Sequence, residues 1–476
     1  MKKNLPLPVY GFLMGWLLLA PWLGFAESGR KNSVTLVTGP ETSDLLHVLG
    51  EPLQRAAGLQ AGDVHFHVML DSRLNAMALP GQRIIFNSGL LLAVRDRDEL
   101  ASVMAHEMGH LSAGHHIQLE SSMKDMAVQT MIAFAAGIAA GVATGSGQLS
   151  QAAITGSAAA AHSALLDSMR EKETQADRLA IRYMNSAGFD PQGMVRFMER
   201  LNREQRISHV PPPYLLTHPL SSQRLLESQQ QLEGQSAEGG SSPRAQAGAR
   251  SRSGAEDNAL LARVQAVLEA GTTEDLNGLI ARFRKRLELD PADFAGRYGL
   301  AVAERYMGQL PAAIADLELL LRQQPGDPYL LRERGLVRLE LGQPEEAEAD
   351  FRAALKRQPR RTQGDLLYRL AFALHEQEKW AESMRILRPL TLEHPLVAEY
   401  FYLLGVVEGK QGHLGASHLA LARHFYLTME KKMARWHYKE AIRLFASSEA
   451  GKAIARDELA AVEQGDKTLF RRDPSD

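Results

Sequence analysis

The sequence predicts a mainly α-helical chain in two folded parts: an α+β domain of helices with a small sheet, then an all-α solenoid. Three observations lead there. Apolar and polar positions alternate from Val64 to Leu70, as in a half-buried strand, and a hairpin pattern follows to residue 91. Apolar residues recur at helical spacing from Leu100 to Leu111. Beyond residue 290 the chain repeats every 34 residues. A length of 476 residues leaves room for two or three separate cores. With 54 Lys and Arg against 56 Asp and Glu, the formal net charge of −2 excludes the electrostatics of a nucleic-acid binder. The lack of cysteine excludes disulfides, thiolate metal sites, a cysteine nucleophile and a lipidated N-terminal cysteine.

The N-terminus has the layout of a secretory signal. Lys2 and Lys3 precede the apolar run Gly11 to Ala20, and Gly24-Phe25-Ala26 forms a small-x-small end, so cleavage is expected after Ala26. The run is short for a membrane span and Pro21 interrupts it. In a bacterial setting the expected location is the periplasm.

Residues 41 to 58 read as a helix carrying Leu45, Leu46, Val48, Leu49 and Leu53. A strand follows from Val64 to Leu70, with His65 and His67 on its polar side, where they read as surface residues rather than ligands. Asn75 to Leu91 reads as a hairpin turning at Pro80-Gly81, with Arg83 to Asn87 as its second strand. An edge strand there can pair with an extended peptide. Asp96, Asp98 and Glu99 then put negative charge at the start of the next helix, which favours it electrostatically.

That helix carries His106-Glu107-Met108-Gly109-His110. Two histidines four apart leave one helix face and can grip a single Zn²⁺, while Glu107 can reach a water on that metal as general base. Such sites need one more protein ligand. Glu173 and Asp177 share a face of a later helix, so Glu173 can bind the metal while Asp177 accepts a hydrogen bond from a ligating imidazole. Glu171 competes for the ligand role on chemistry alone. Farther on, His218 in Thr217-His218-Pro219 is held extended by its proline and can swing to the metal. The expected domain is an α+β zincin-like metallopeptidase with one Zn²⁺ per chain.

The succession Asn75-Ala76, Pro80-Gly81, Gly89-Leu90, Glu99-Leu100-Ala101 and His106-Glu107-Met108-Gly109-His110 resembles the membrane-linked zinc peptidases that include the CAAX prenyl proteases and the heat-shock protease HtpX. Its soluble periplasmic branch is the most similar. Glu173 and Asp177 match that family's second motif, Glu-x-x-Ala-Asp. The resemblance implies that His218, in a Thr-His-Pro element with Arg224 downstream, lies at the active site, as an oxyanion donor or as a fourth ligand that holds the enzyme latent. It also implies a zinc endopeptidase acting on misfolded or stalled outer-membrane β-barrel proteins, with the repeats docking the outer-membrane assembly machinery. The alternative is a chaperone or adaptor working through its repeats, with a mostly latent zinc site.

Residues 126 to 160 are rich in Ala and Gly and read as a helical hairpin, either packed on the domain or touching a membrane peripherally. Residues 234 to 258 are small and polar and read as a flexible linker. The expected division is therefore a signal over 1–26, a metallopeptidase domain over 27–233, the linker over 234–258 and repeats over 259–476. Pro291, Pro325 and Pro359 are 34 apart, as are Gly308 and Gly342, and Ala313 and Ala347. This is the tetratricopeptide period, one helix pair per unit. A further unit starts two residues late near Pro395, and Leu260 to Leu289 reads as a degenerate capping unit.

Overall fold

A computed structural model describes residues 36–115, 147–208, 213–237, 254–445 and 448–464, apart from the single positions 38, 61, 80 and 221. The expected signal segment and the first part of the Ala/Gly-rich stretch lie outside the described residues. The chain divides into two units, Met1–Glu274 and Asp275–Asp476. Among the described residues no helix is long and apolar enough to cross a membrane.

In the first unit, strands β1 (Leu36–Val37), β2 (His65–Met69), β3 (Ala76–Leu79) and β4 (Arg83–Asn87) form a sheet ordered β1-β2-β4-β3. β2 and β4 run parallel, and β3 pairs antiparallel with β4, leaving its other side as a sheet edge. Helix α1 (Pro40–Ala56) buries Leu45, Leu46, Leu49 and Leu53, one apolar stripe, against this sheet and the next helices. After the short α2 (Ser88–Ala93), α3 (Arg97–Ser112) starts at Asp96, whose carboxylate accepts from the Glu99 backbone N–H at 2.8 Å. That cap satisfies one of the donors a helix start leaves open. The Glu99 side chain meanwhile pairs with Arg200 through two bonds of 2.8 and 2.7 Å. α3 is buried nearly all round, which is why its apolar stripe is broad and small residues fill the rest.

The Ala/Gly-rich stretch runs into a single long helix, α4 (Gly147–Ala187), which carries Glu173 and Asp177 near its C-terminal end. α5 (Gln192–Ser208), α6 (Pro213–Thr217) and α7 (Ser222–Ala237) complete that face. α8 (Gly254–Thr272) belongs to this first unit as well. It buries Leu260, Leu261, Val264 and Leu268, and the Gln265 amide donates to the Leu91 and Val94 carbonyls at 2.9 and 2.7 Å. Asp257 pairs with Arg97 at 2.7 Å, while the Asn258 side chain accepts from the Arg97 backbone N–H at the start of α3. The two units thus meet at Glu274, later than the 258/259 boundary that composition suggests. The stretch expected as a capping repeat is split, α8 going to the first unit and α9 (Leu276–Leu289) to the second.

In the second unit, α9 is followed by five helix pairs among the described residues. They are α10 (Phe294–Tyr306) with α11 (Leu310–Gln323), and α12 (Pro328–Glu340) with α13 (Pro344–Leu355). Next come α14 (Gly364–Glu376) with α15 (Trp380–Glu393), and α16 (Ala398–Lys410) with α17 (Leu414–Leu427). The last pair is α18 (Lys431–Leu444) with α19 (Glu449–Gln464). The two-residue delay before Pro395 arises upstream, where a 3₁₀ turn, Arg360–Thr362, lies between α13 and α14. Gly308, Gly342 and Gly412 turn the chain within their pairs at φ of 73°, 73° and 78°. Glu378 takes the same place at φ 60° in the third pair, a conformation that costs a side chain about 1 kcal/mol.

Candidate metal centre

α3 and α4 cross where the motif has its glycine. A Cβ on Gly109 would lie 3.0 Å from the Ala176 carbonyl oxygen and 3.1 Å from its Cα, tight enough that a side chain there would press the two helices apart. The crossing sets His106 and His110 opposite Glu173 and Asp177. The turn after α6 adds His218. Its backbone N–H bonds to the Tyr214 carbonyl at 2.8 Å, and its ring lies 4.7 Å from that of Tyr214.

One nitrogen from each of His106, His110 and His218 and the carboxylate of Glu173 converge, all within 4.8 Å of one another. His106 Nε2 lies 3.1 Å from His110 Nε2 and 3.2 Å from His218 Nδ1. Glu173 oxygens lie 3.4 Å from His106 Nε2, 3.2 Å from His110 Nε2 and 3.2 Å from His218 Nδ1. Four ligands around one tetrahedral ion at zinc-like bond lengths stand about 3.3 Å apart. Three imidazole nitrogens and one carboxylate at those separations fit such an ion.

The surroundings prepare these groups. His106 Nδ1 donates to Asp177 Oδ1 at 2.9 Å, leaving Nε2 for the centre. Arg224 grips Asp177 through Nε and Nη2 at 2.7 and 2.8 Å, donates to the Pro219 carbonyl, and stands 3.0 Å from Glu173. Burial pushes the His106 imidazole down, but Asp177 and Glu173 outweigh it and hold it up to about 10. Burial favours the neutral acid at Glu173, yet hydrogen bonds from the three histidines keep its carboxyl well below the usual range. Asp177 is held low in spite of burial by the Arg224 charge. Burial pushes the His110 imidazole down and the Tyr214 phenol well up.

Glu107 is 1% exposed, and among the described residues neither carboxylate oxygen has a hydrogen-bond partner. His218 Nε2 is 3.3 Å from Glu107 Oε1, near enough for attraction but without hydrogen-bond alignment. A buried carboxylate left without partners is costly, and a proton-transfer site is a place that retains one.

The structure thus gathers His106, Glu107, His110, Glu173, Asp177 and His218 at one point. Glu171 is exposed and outside the cluster; His65 and His67 on β2 lie outside it as well, His65 exposed and His67 half-buried. Two contributors have no local signature in the sequence. Tyr214 forms the wall behind His218 four residues earlier, and His115 touches His110 across the turn that follows α3. Arg224 is recognisable only as part of the Thr-His-Pro element, not by its bonds to Asp177.

Residues 40–231 match the model of peptidase family M48, and residues 307–371 match a tetratricopeptide repeat model. The beta-barrel assembly-enhancing protease of Yersinia pestis is 27% identical over 436 residues, covering 91% of this chain and 83% of that one. The protein of the same name from Escherichia coli K12 is 32% identical over 197 residues, or 41% of this chain and 40% of its own length. The mitochondrial metalloendopeptidase OMA1 of Schizosaccharomyces pombe is 30% identical over 159 residues, 33% of this chain and 44% of that one. With its His/Glu metal cluster inside residues 40–231 and its helix pairs following in sequence, the chain is a metallopeptidase whose first unit is similar to family M48 and whose second carries tetratricopeptide repeats.

Proposed function

We propose that the chain is a periplasmic zinc endopeptidase that removes misfolded or stalled outer-membrane β-barrel proteins and assists their assembly, its repeats docking the assembly machinery. The observation that carries the enzymatic part is the convergence of His106, His110, Glu173 and His218 beside Glu107, whose oxygens accept no hydrogen bond among the described residues. The names of the Yersinia and Escherichia relatives support the substrate class, and the N-terminal signal pattern supports the location.

His106, His110 and Glu173 would hold the zinc. When bound, the metal supplies Lewis acidity to a peptide carbonyl and makes water acidic near neutral pH. Glu107 takes the proton from the attacking water at a carboxylate oxygen and delivers it to the leaving amine. Asp177 keeps the His106 proton on Nδ1, and Arg224 keeps Asp177 ionised. His218 is read as a fourth ligand through Nδ1, which faces both His106 and Glu173. There it would fill the position water needs, and the enzyme would rest latent. The free side of β3 is the place for an extended substrate segment. The His218 turn is tied to the chain just before that strand: the Tyr214 N–H donates to the Leu74 carbonyl at 3.0 Å, and Thr217 Oγ1 to Asn75 Oδ1 at 3.4 Å. Substrate on the strand therefore bears on the turn that carries His218.

Glu107→Gln tests the assignment. Casein cleavage should fall by about 10²- to 10⁴-fold, the contribution of a general base, while zinc remains bound. Cleavage at the normal rate by that variant refutes it. The adaptor reading rests on the tetratricopeptide unit, and full restoration of outer-membrane assembly by Glu107→Gln would favour it.

A further inference from the structure

The three histidines of the cluster are not held alike. His106 has a carboxylate behind it, Asp177. Behind His110 stands another imidazole: His110 Nδ1 is 2.9 Å from His115 Nδ1, with the rings edge to face at 73°. His115 is only 4% exposed, although α3 has ended at Ser112 and Gly114, at φ +66°, turns the chain back toward the cluster. The other nitrogen of His115, Nε2, lies 3.2 Å from Gln175 Oε1.

Proton bookkeeping along this line has one outcome. An amide oxygen only accepts, so His115 Nε2 carries the hydrogen. In a neutral ring that hydrogen leaves His115 Nδ1 bare. The two facing Nδ1 atoms need one proton between them, and it must sit on His110. His110 Nε2 is then bare as well, and it faces Glu173 and His106. Gln175 stands between Glu173 and Asp177 on α4, so one helix supplies a ligand and the anchors behind both motif histidines.

We infer that His115 and Gln175 are positioning residues that fix the tautomer and ring orientation of His110, and so set how tightly the centre holds its ion. This rests on the reading of the cluster as a zinc site. Metal ligands with a hydrogen-bonded outer partner lose about 10- to 100-fold in affinity when that partner is removed.

The test is zinc affinity of the full chain by chelator competition, with thermal unfolding of each metal-free form alongside. His115→Phe keeps the ring volume without the acceptor and should bind zinc about 10- to 100-fold more weakly. His115→Gln, which still offers an oxygen to the His110 N–H, should recover most of that loss. Gln175→Leu alters only an exposed position and should weaken binding by a smaller factor, about threefold or more. A purely structural role would lower the metal-free unfolding temperature and leave affinity unchanged. Equal affinity in His115→Phe and wild type overturns the inference, as does a His115→Gln variant no better than His115→Phe. Should His115→Phe not fold, His115→Ala takes its place, unchanged affinity there overturning the inner link, and unchanged affinity in Gln175→Leu overturns the outer one. Wild-type protein that takes up no zinc fails the metal-centre reading itself, a result visible before any variant is made.

Discussion

Loading zinc into the metal-free protein at pH 7 should expel about one proton per site, and its source is identifiable. His106 is held up to about 10, so without metal its ring is protonated at pH 7. His110 is pushed down and is already neutral, and Glu173 is held low and already ionised, so neither contributes. The proton leaves from His106 Nε2, because Nδ1–H stays on Asp177. Below about pH 10 the apparent affinity should therefore rise about tenfold per pH unit, or about 1.4 kcal/mol, giving about 100-fold between pH 7 and 9. Folding of the metal-free chain runs the other way. A histidine raised from 6.5 to about 10 stabilises the fold fully below pH 6.5, and that contribution is lost as pH climbs through 10. The metal-free unfolding temperature should fall over this window while the zinc-induced increase grows. Titration calorimetry in two buffers of different ionisation enthalpy counts the protons. No buffer dependence at pH 7, or an affinity flat from pH 7 to 9, refutes the reasoning.

His218→Ala should raise basal casein turnover, because it frees the position water needs; a fall in turnover would refute the fourth-ligand reading and favour an oxyanion role. Gly109→Val should push α3 from α4, costing about 1 to 3 kcal/mol and weakening zinc retention, read by melting with and without metal. A chain ending at Glu274 should fold as a peptidase unit, whereas one ending at Ser253 should not. The lost helix buries Leu260, Leu261, Val264 and Leu268 at about 1.5 to 3 kcal/mol each, comparable to the whole stability of a domain. Circular dichroism of the two fragments decides it.

The metal-helix residues are legible because their chemistry is local: His106 and His110 share a face by spacing alone, as do Glu173 and Asp177. The strands and the 34-residue period follow from patterns of the same kind. What is not legible depends on where distant segments land. His115 lies beyond the helix end, and only the reversal at Gly114 brings it behind His110. Arg224 becomes Asp177's partner through the turn that also carries His218. The period beyond residue 290 extends in thought as easily backward as forward, so α8 reads as a repeat. Its side chains nevertheless complete the first core, through Gln265 on the Leu91 and Val94 carbonyls and Asp257 on Arg97. The last pair, α18 and α19, has no proline or glycine at the repeating positions and leaves no periodic mark.

The seat of α8 also orders events during synthesis. Arg97 begins the helix that carries His106, yet its ion-pair partner is Asp257, and the carbonyls after α2 wait for Gln265. A chain emerging N-terminus first therefore exposes every cutting residue long before the last wall of their housing has been translated. The walls that hold the cluster in place are therefore complete only once the chain has reached residue 272.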